Sequence, residues 1–244
     1  FELWVDTIAP TLTILSPTPG DLINATELPS LVISVEIADA HSGIDPGDSE
    51  AIELSVDGAS VAVSLDPDTG LATASGAHLA EGAKWAELIV TDRAGNATDP
   101  ALVWGFTVDV TPPVGSVLIN GGLAMTTSAY VTLNLQVEER TSGVAWMHLS
   151  NDPGFDRSSR EAYTTVRESW QLNPVSGRQT VYVKFEDKAG NIAEPVSDDI
   201  ELELLAPETL LISGPAGASP QPHAEFTFGC SETDCVFSYA FDNE

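Results

Sequence analysis

The sequence predicts an all-β protein built of tandem sandwiches, and three observations predict it. Apolar and polar residues alternate along short runs, as in Trp85-Ala-Glu-Leu-Ile-Val-Thr and Thr180-Val-Tyr-Val-Lys-Phe-Glu, the pattern of strands with one buried face. Nineteen glycines and sixteen prolines, scattered singly, cut these runs to strand length. The loop Asp92-Arg-Ala-Gly-Asn96 returns as Asp187-Lys-Ala-Gly-Asn191, ninety-five residues later. Solenoid units repeat every 20–50 residues or so, so this spacing implies an array of whole domains.

The elements follow in order. Proline-marked joints divide the chain: Val5-Asp-Thr-Ile-Ala-Pro10 recurs as Val108-Asp-Val-Thr-Pro-Pro113 and, more loosely, as Leu204-Leu-Ala-Pro207. In that third joint Leu204 stands where Asp109 would align. Proline fixes φ and stiffens the exit from one domain into the next strand. Residues 1–5 read as the last strand of a preceding domain. Residues 6–109 form a domain with strands near 11–16, 30–38, 50–57, 60–65, 70–79, 84–91 and 101–108. Residues 110–204 form a second, with strands near 115–119, 129–137, 144–150, 160–172, 179–186 and 196–204. Residues 205–244 hold only two or three strands, an incomplete domain with an open edge. About seven short strands per hundred residues, separated by turn residues and without helical periodicity, predict immunoglobulin-like Greek-key sandwiches. The large core fillers expected are Trp85, Trp104, Trp146, Trp170, Phe106 and Phe185.

Charge narrows the partners. Thirty-seven acidic residues against nine basic ones give −28, and residues 1–109 carry only Lys84 and Arg93 as basic residues. Such a field repels nucleic acid and anionic membrane and attracts cations. No apolar run approaches the roughly 18–20 residues of a membrane span, so no membrane insertion is expected. The chain opens on a strand-like run, which reads as a piece cut from a longer protein. The two cysteines, Cys230 and Cys235, fall short of a zinc set, since nothing near them except His223 resembles a ligand. A disulfide across a short turn is the favoured reading, and it places the chain in an oxidising, extracellular compartment.

With its joints, a Ser-Gly turn after the second strand and Asp-x-Ala-Gly-Asn before the last, the chain resembles bacterial Ig-like tandem repeats of large extracellular adhesins and surface proteins. The second domain carries the resemblance best, through Ile119-Asn-Gly-Gly122, Ser142-Gly-Val144, Leu149-Ser-Asn-Asp152 and Val181 to Asn191. The first carries it through Ser55-Val-Asp-Gly58, Ala80-Glu-Gly82 and Asp92 to Asn96. Residues 206–244 resemble the opening of a further repeat type, through Pro207-Glu-Thr209, Ser213-Gly-Pro215 and Phe226-Thr-Phe228. That type usually has a cysteine where Tyr239 stands, which leaves Cys230–Cys235 as the available pair. The resemblance implies fold and an extracellular or cell-surface setting. It says little of biochemical role.

In this topology the entry joint, the loop after the second strand and the loop before the last strand meet at one end of each domain. Asp6, Asp39, Asp92 and Asn96 converge there in the first domain. Asp109, Glu138 or Glu139, Asp187 and Asn191 converge in the second. Six to eight clustered oxygens are what calcium takes, and the ion is expected first at the junction of the two domains, bridging Asp109 with Asp187 and Asn191. The same residues also suit plain β-turns with no ion, because Asp and Asn bond their own backbone.

No catalytic constellation is legible: the four histidines share no spacing with acids or nucleophiles, and no phosphate loop or zinc signature occurs. The chain is therefore expected to be no enzyme. The function expected is an extracellular spacer, stalk or filament segment whose partners are neighbouring domains or subunits. The alternatives are a module gripping surface glycan or protein through Asn151–Phe155 and the region of Tyr163 and Trp170, or an accessory region of a secreted enzyme. Two sequons, Asn24-Ala-Thr26 and Asn96-Ala-Thr98, permit glycosylation.

Overall fold

The computed structural model describes residues 5–48, 50–204, 208–215, 217, 223–231 and 236–238. The first run of strands is β1 (Thr11–Ser16), β2 (Leu22–Ile23), β3 (Val32–Ala38), β4 (Ile52–Val56), β5 (Ala59–Val61), β6 (Ser64–Asp66), β7 (Leu71–Ser75), β8 (Gly82–Val90) and β9 (Leu102–Val108). They form two sheets, ordered β1-β3-β7-β6 and β2-β9-β8-β4-β5. Lettered in chain order, these are the ABED and GFC sheets of an immunoglobulin sandwich, with β5 and β2 added at the two edges of the second. Alternation builds the core. Ile33, Val35 and Ile37 of β3 face Ala86, Leu88 and Val90 of β8 and Trp104, Phe106 and Val108 of β9, all buried.

The second run repeats the plan: β10 (Val114–Ile119), β11 (Met125–Thr126), β12 (Tyr130–Glu138), β13 (Val144–Ser150), β14 (Ser159–Ala162), β15 (Val166–Gln171), β16 (Gly177–Asp187) and β17 (Val196–Leu202). Its sheets are β10-β12-β15 and β11-β17-β16-β13-β14. Leu133, Leu135, Met147, Leu149, Val181, Val183 and Phe185 fill the space between them. The chain is thus all-β, with tandem immunoglobulin-like sandwiches. No helix among the described residues is long and apolar enough to cross a membrane.

Several expectations need correction. The runs at 60–65 and 160–172 each make two strands, β5 with β6 and β14 with β15, because the chain crosses between sheets inside them. The two-residue strands β2 and β11 match none of the expected runs. Each lies parallel beside the last strand of its sandwich, pairing Ile23 with Val108 and Thr126 with Leu202. Trp85 is not a core filler: it is 62% exposed and its ring lies against Gly105 of the neighbouring strand, where a Cβ would meet it tightly at 3.2–3.3 Å. Trp104 and Phe106 are buried as expected. Trp146 is half-buried on the outer face, its ring capped by the Arg160 guanidinium at 4.1 Å.

Beyond the second sandwich, β18 (Thr209–Ser213) and β19 (Thr227–Cys230) pair as an antiparallel ribbon. Its apolar side chains remain open to solvent, Leu211 at 61% and Ile212 at 66%. Cys230 is disulfide-bonded. Most of the strand expected at residues 1–5, the joint expected at 204–207 beyond Leu204, the Cys235 half of the expected disulfide and Tyr239 lie outside the described residues.

Candidate functional site

The repeated pentapeptide builds the same knot twice. In the first sandwich the Asp92 carboxylate accepts N–H bonds from Ala94 and Asn96 at 2.8 Å each. Gly95 closes the loop at φ +88°, a conformation that suits glycine because it has no Cβ. The Asn96 amide donates to Asp92 Oδ2 at 2.7 Å and to the backbone carbonyl of Asp6 at 3.2 Å, tying the entry joint to the loop. Asp6 in turn accepts from the Ile8 and Ser42 N–H groups, and Asp39 accepts from those of His41 and Gly43. Arg93 N–H donates to Gly43 O, so the two loops also bond directly. Asp6, Asp39 and Asp92 offer carboxylate oxygens that all lie within 4.8 Å of one another.

The second sandwich substitutes Asp109 for Asp6, Glu139 for Asp39, Asp187 for Asp92 and Asn191 for Asn96. Asn191 donates from its backbone to Asp187 Oδ1 and from its side chain to Asp187 Oδ2 and Asp109 O, each at 2.8 Å. Asp109 Oδ2 accepts from Ser142 N–H, and Glu139 from the N–H groups of Thr141 and Gly143. Gly190 takes φ +95° in the place of Gly95. Glu138 stands apart, exposed, 3.6 Å from Arg140. Among the described residues this end has no acidic trio as tight as that of the first.

What distinguishes the second end is its cover. Ala25 of the first sandwich donates its N–H to Asn191 Oδ1 at 3.1 Å, and the Asn24 amide donates to Ala189 O at 3.0 Å. Asn24 is held for this by a reciprocal bond with Glu27: each accepts, on its side chain, the backbone N–H of the other. Glu81, also from the first sandwich, accepts from the hydroxyls of Thr111 and Thr141. Asp109 and Asp187 are consequently buried to 1% exposure or less. Burial raises the Asp187 pKa, and the charge of Asp109 adds to that, outweighing the bonds from Asn191 and Gly190. In the first sandwich desolvation also opposes ionisation of Asp92, but bonds from Asn96, Ser42 and Ala94 prevail and its pKa is lowered. The Asp6 pKa is lowered too, chiefly by the Ile8 N–H.

Sequence reasoning missed the serines and the clasp. The hydroxyls of Ser42 and Ser142 are buried without a hydrogen bond of proper geometry, although Ser42 lies close enough to Asp6 and Asp92 to favour their charged forms. Both follow from the recurring Ser-Gly turn, a signal that was visible. Asn24, Ala25 and Glu81 had only the Asn-x-x-Glu spacing to announce them. The amides of Asn24 and Asn96 are each engaged in hydrogen bonds within these knots, which opposes glycosylation at the two sequons in the folded chain. The structure also corrects one alignment. Asp109 N–H donates to Ile23 O and Glu203 N–H to Thr126 O, so Glu203, not Leu204, is the counterpart of Asp109.

No family model and no curated protein matches the chain. Similar solved structures do exist. Fibronectin(III)-like modules of CbhA from Clostridium thermocellum are 14% identical, with a TM-score of 0.42 over 79% of this chain and 94% of that one. A 1.5-MDa bacterial ice-binding adhesin is 17% identical at TM-score 0.46, covering 81% of this chain and 65% of that one. A Ca2+-stabilized adhesin of an Antarctic bacterium is 20% identical at TM-score 0.43, over 84% of this chain and 52% of that one.

Proposed function

We propose that this chain is an extracellular spacer segment of a large surface or secreted protein of adhesin type, with units at 6–109, 110–204 and 205–244. Its role is to hold neighbouring domains at a set reach and angle, and it is structural, not catalytic. The observation that carries this reading is the junction at Asn191. One side-chain amide joins the loop of the second sandwich (Asp187), the joint (Asp109) and the body of the first sandwich (Ala25). A joint of a few residues anchored at three points resists bending. A flexible tether would need no such anchors.

Calcium belongs to this reading, at the entrance of the first sandwich. Three carboxylates within one ion's reach, with the unbonded Ser42 hydroxyl beside two of them, supply the hard oxygen donors that calcium selects. At the second entrance Asp109, Glu139 and Asp187 would have to draw closer to hold an ion. Extracellular modules commonly bind calcium at about 10⁻⁴–10⁻³ M, so occupancy follows the medium outside the cell.

The test is small-angle scattering of the full chain beside Asn191→Ala. The wild type is expected to give one narrow distribution of inter-domain distances, and the variant a broader one. If the two distributions coincide, the junction sets no angle and the spacer reading loses its support. Deleting residues 110–204 should shorten the particle without affecting whatever a distal domain binds.

A further inference from the structure

We propose that the cleft at the edge of the second sandwich is a saccharide-binding site, a role beyond that of spacer. The cleft, of about 690 Å³, opens between the start of β12, the loop after β13 and β15. Ligand sites for small molecules typically occupy roughly 300–1,000 Å³. Two aromatic rings line it, Tyr130 and Trp170. Trp170 is fixed in place, its indole N–H donating to Asn151 Oδ1 at 2.8 Å, while the Asn151 amide donates to Gln171 O at 2.8 Å. Tyr130 lies on the strand beside it, paired with Gln171, and is 58% exposed.

The backbone is bent to make this arrangement. Val131 pairs with Trp170 but Leu133 pairs with Arg167, so Glu168 and Ser169 bulge opposite the single residue Thr132. Ser169 takes φ +55°, and Phe155 in the facing loop takes φ +59°; these are two of four non-glycine residues with positive φ among the described residues. Bulges at sheet edges re-aim side chains, and such backbone strain concentrates at binding sites.

The polar lining is unspent. The side chains of Asp152, Asp156 and Arg157 make no hydrogen bond or ion pair among the described residues, while Arg167 is paired with Glu161 at 2.8 Å. With Arg167 neutralised by Glu161, Asp152 and Asp156 meet only the unpaired Arg157, a surplus of one negative charge in a chain of net charge −28. The cleft is thus close to neutral beside the field around it, which favours a neutral ligand over an anion repelled by that field or a cation drawn everywhere. Planar carboxylates and guanidinium groups bond adjacent hydroxyls in pairs, and an aromatic face covers the C–H face of a pyranose ring. A peptide adding a strand to β15 would be the rival occupant. The bulge interrupts the edge such a strand needs.

The experiment is saturation-transfer NMR and tryptophan fluorescence of the full chain with a panel of neutral hexose and pentose tetrasaccharides. Asp156→Ala and Tyr130→Ala provide the comparison. At least one sugar should bind at millimolar concentration, and each variant should weaken it about tenfold or more, a loss of about 1.4 kcal/mol. Both variants should melt as the wild type does, since neither side chain is buried. Silence across the panel, affinity unchanged in both variants, or binding of an extended peptide in place of sugar would each overturn the proposal.

Discussion

Asn191 spends every polar atom of its side chain on a different segment, and that makes it the residue whose loss should be most visible. Asn191→Ala leaves Ala25 N–H without its acceptor and strips the amide donor from Asp187 Oδ2 and the Asp109 carbonyl, while the backbone N–H of residue 191 still donates to Asp187 Oδ1. Unsatisfied buried groups cost about 1–3 kcal/mol each, so melting of the variant should fall by an amount in that range. Asn96→Ala should cost less, because no described residue donates to Asn96 Oδ1 and only the bonds to Asp6 and Asp92 are lost. Equal losses would show that the clasp from the first sandwich adds nothing. A second prediction concerns Glu161, whose pKa is lowered chiefly by the Arg167 guanidinium. The folded state therefore holds the charged form more tightly than the unfolded chain does. The stabilisation is present above the ordinary glutamate pKa of about 4.3 and disappears as pH falls through the lowered folded value. Glu161→Gln should cost about 0.2–1 kcal/mol near neutrality and nothing at lower pH; a constant penalty across that range would contradict the assignment. The acids of these knots were legible because their pentapeptide repeats. Ser42 and Ser142 were legible only as a recurring turn and Asn24 only as a capping pattern, since a hydroxyl or amide acquires its role only when another loop or sandwich arrives beside it.

Strands were legible wherever alternation ran for five residues or more, because one buried face leaves that period in the sequence. Two-residue strands such as β2 and β11 leave no period, and their parallel pairing to the exit strand is decided across some eighty residues of chain. Trp85 shows the same limit on one position. Its size suggested core, but its place in the alternation of β8 sets it on the outer face, opposite buried Ala86. The difference is measurable. Trp104→Ala removes a ring exposed to only 3% and its bond to Pro17 O, and should cost about 3–5 kcal/mol. Trp85→Ala uncovers only the strand at Gly105 and should stay below about 1 kcal/mol, as surface changes do. Comparable losses in urea unfolding would mean the outer-face packing has been undervalued. The ribbon of β18 and β19 poses the opposite case, strands without a core. With Leu210, Leu211 and Ile212 all more than half exposed, residues 206–244 made alone should unfold without a cooperative transition. A sharp melt of that fragment would refute this.

At the scale of the molecule, charge decides what holds the array together. A surplus of 28 negative charges repels itself within each compact sandwich and between neighbours. Two kinds of cation relieve this, and they can be told apart. Monovalent salt screens everywhere: raising it from about 0.01 to 0.15 M shortens the Debye length from about 30 to 8 Å, and both sandwiches should melt higher. Calcium at matched ionic strength should add a further shift only where oxygens converge, at Asp6, Asp39 and Asp92. If it binds the folded state alone, a hundredfold excess over its dissociation constant contributes about 2.7 kcal/mol. For a sandwich of about a hundred residues each kcal/mol raises the melting temperature by about 4–8 °C, well above the resolution of calorimetry. Asp39→Ala should abolish that increment while leaving the sodium effect intact, because it removes one ligand from the cluster and only one charge from the field. Magnesium, which demands a tighter octahedron and sheds its waters reluctantly, should not replace calcium. If magnesium and calcium act alike, or if the increment survives Asp39→Ala, the ions are only screening. The pentapeptide would then be a turn that ties each joint by hydrogen bonds alone.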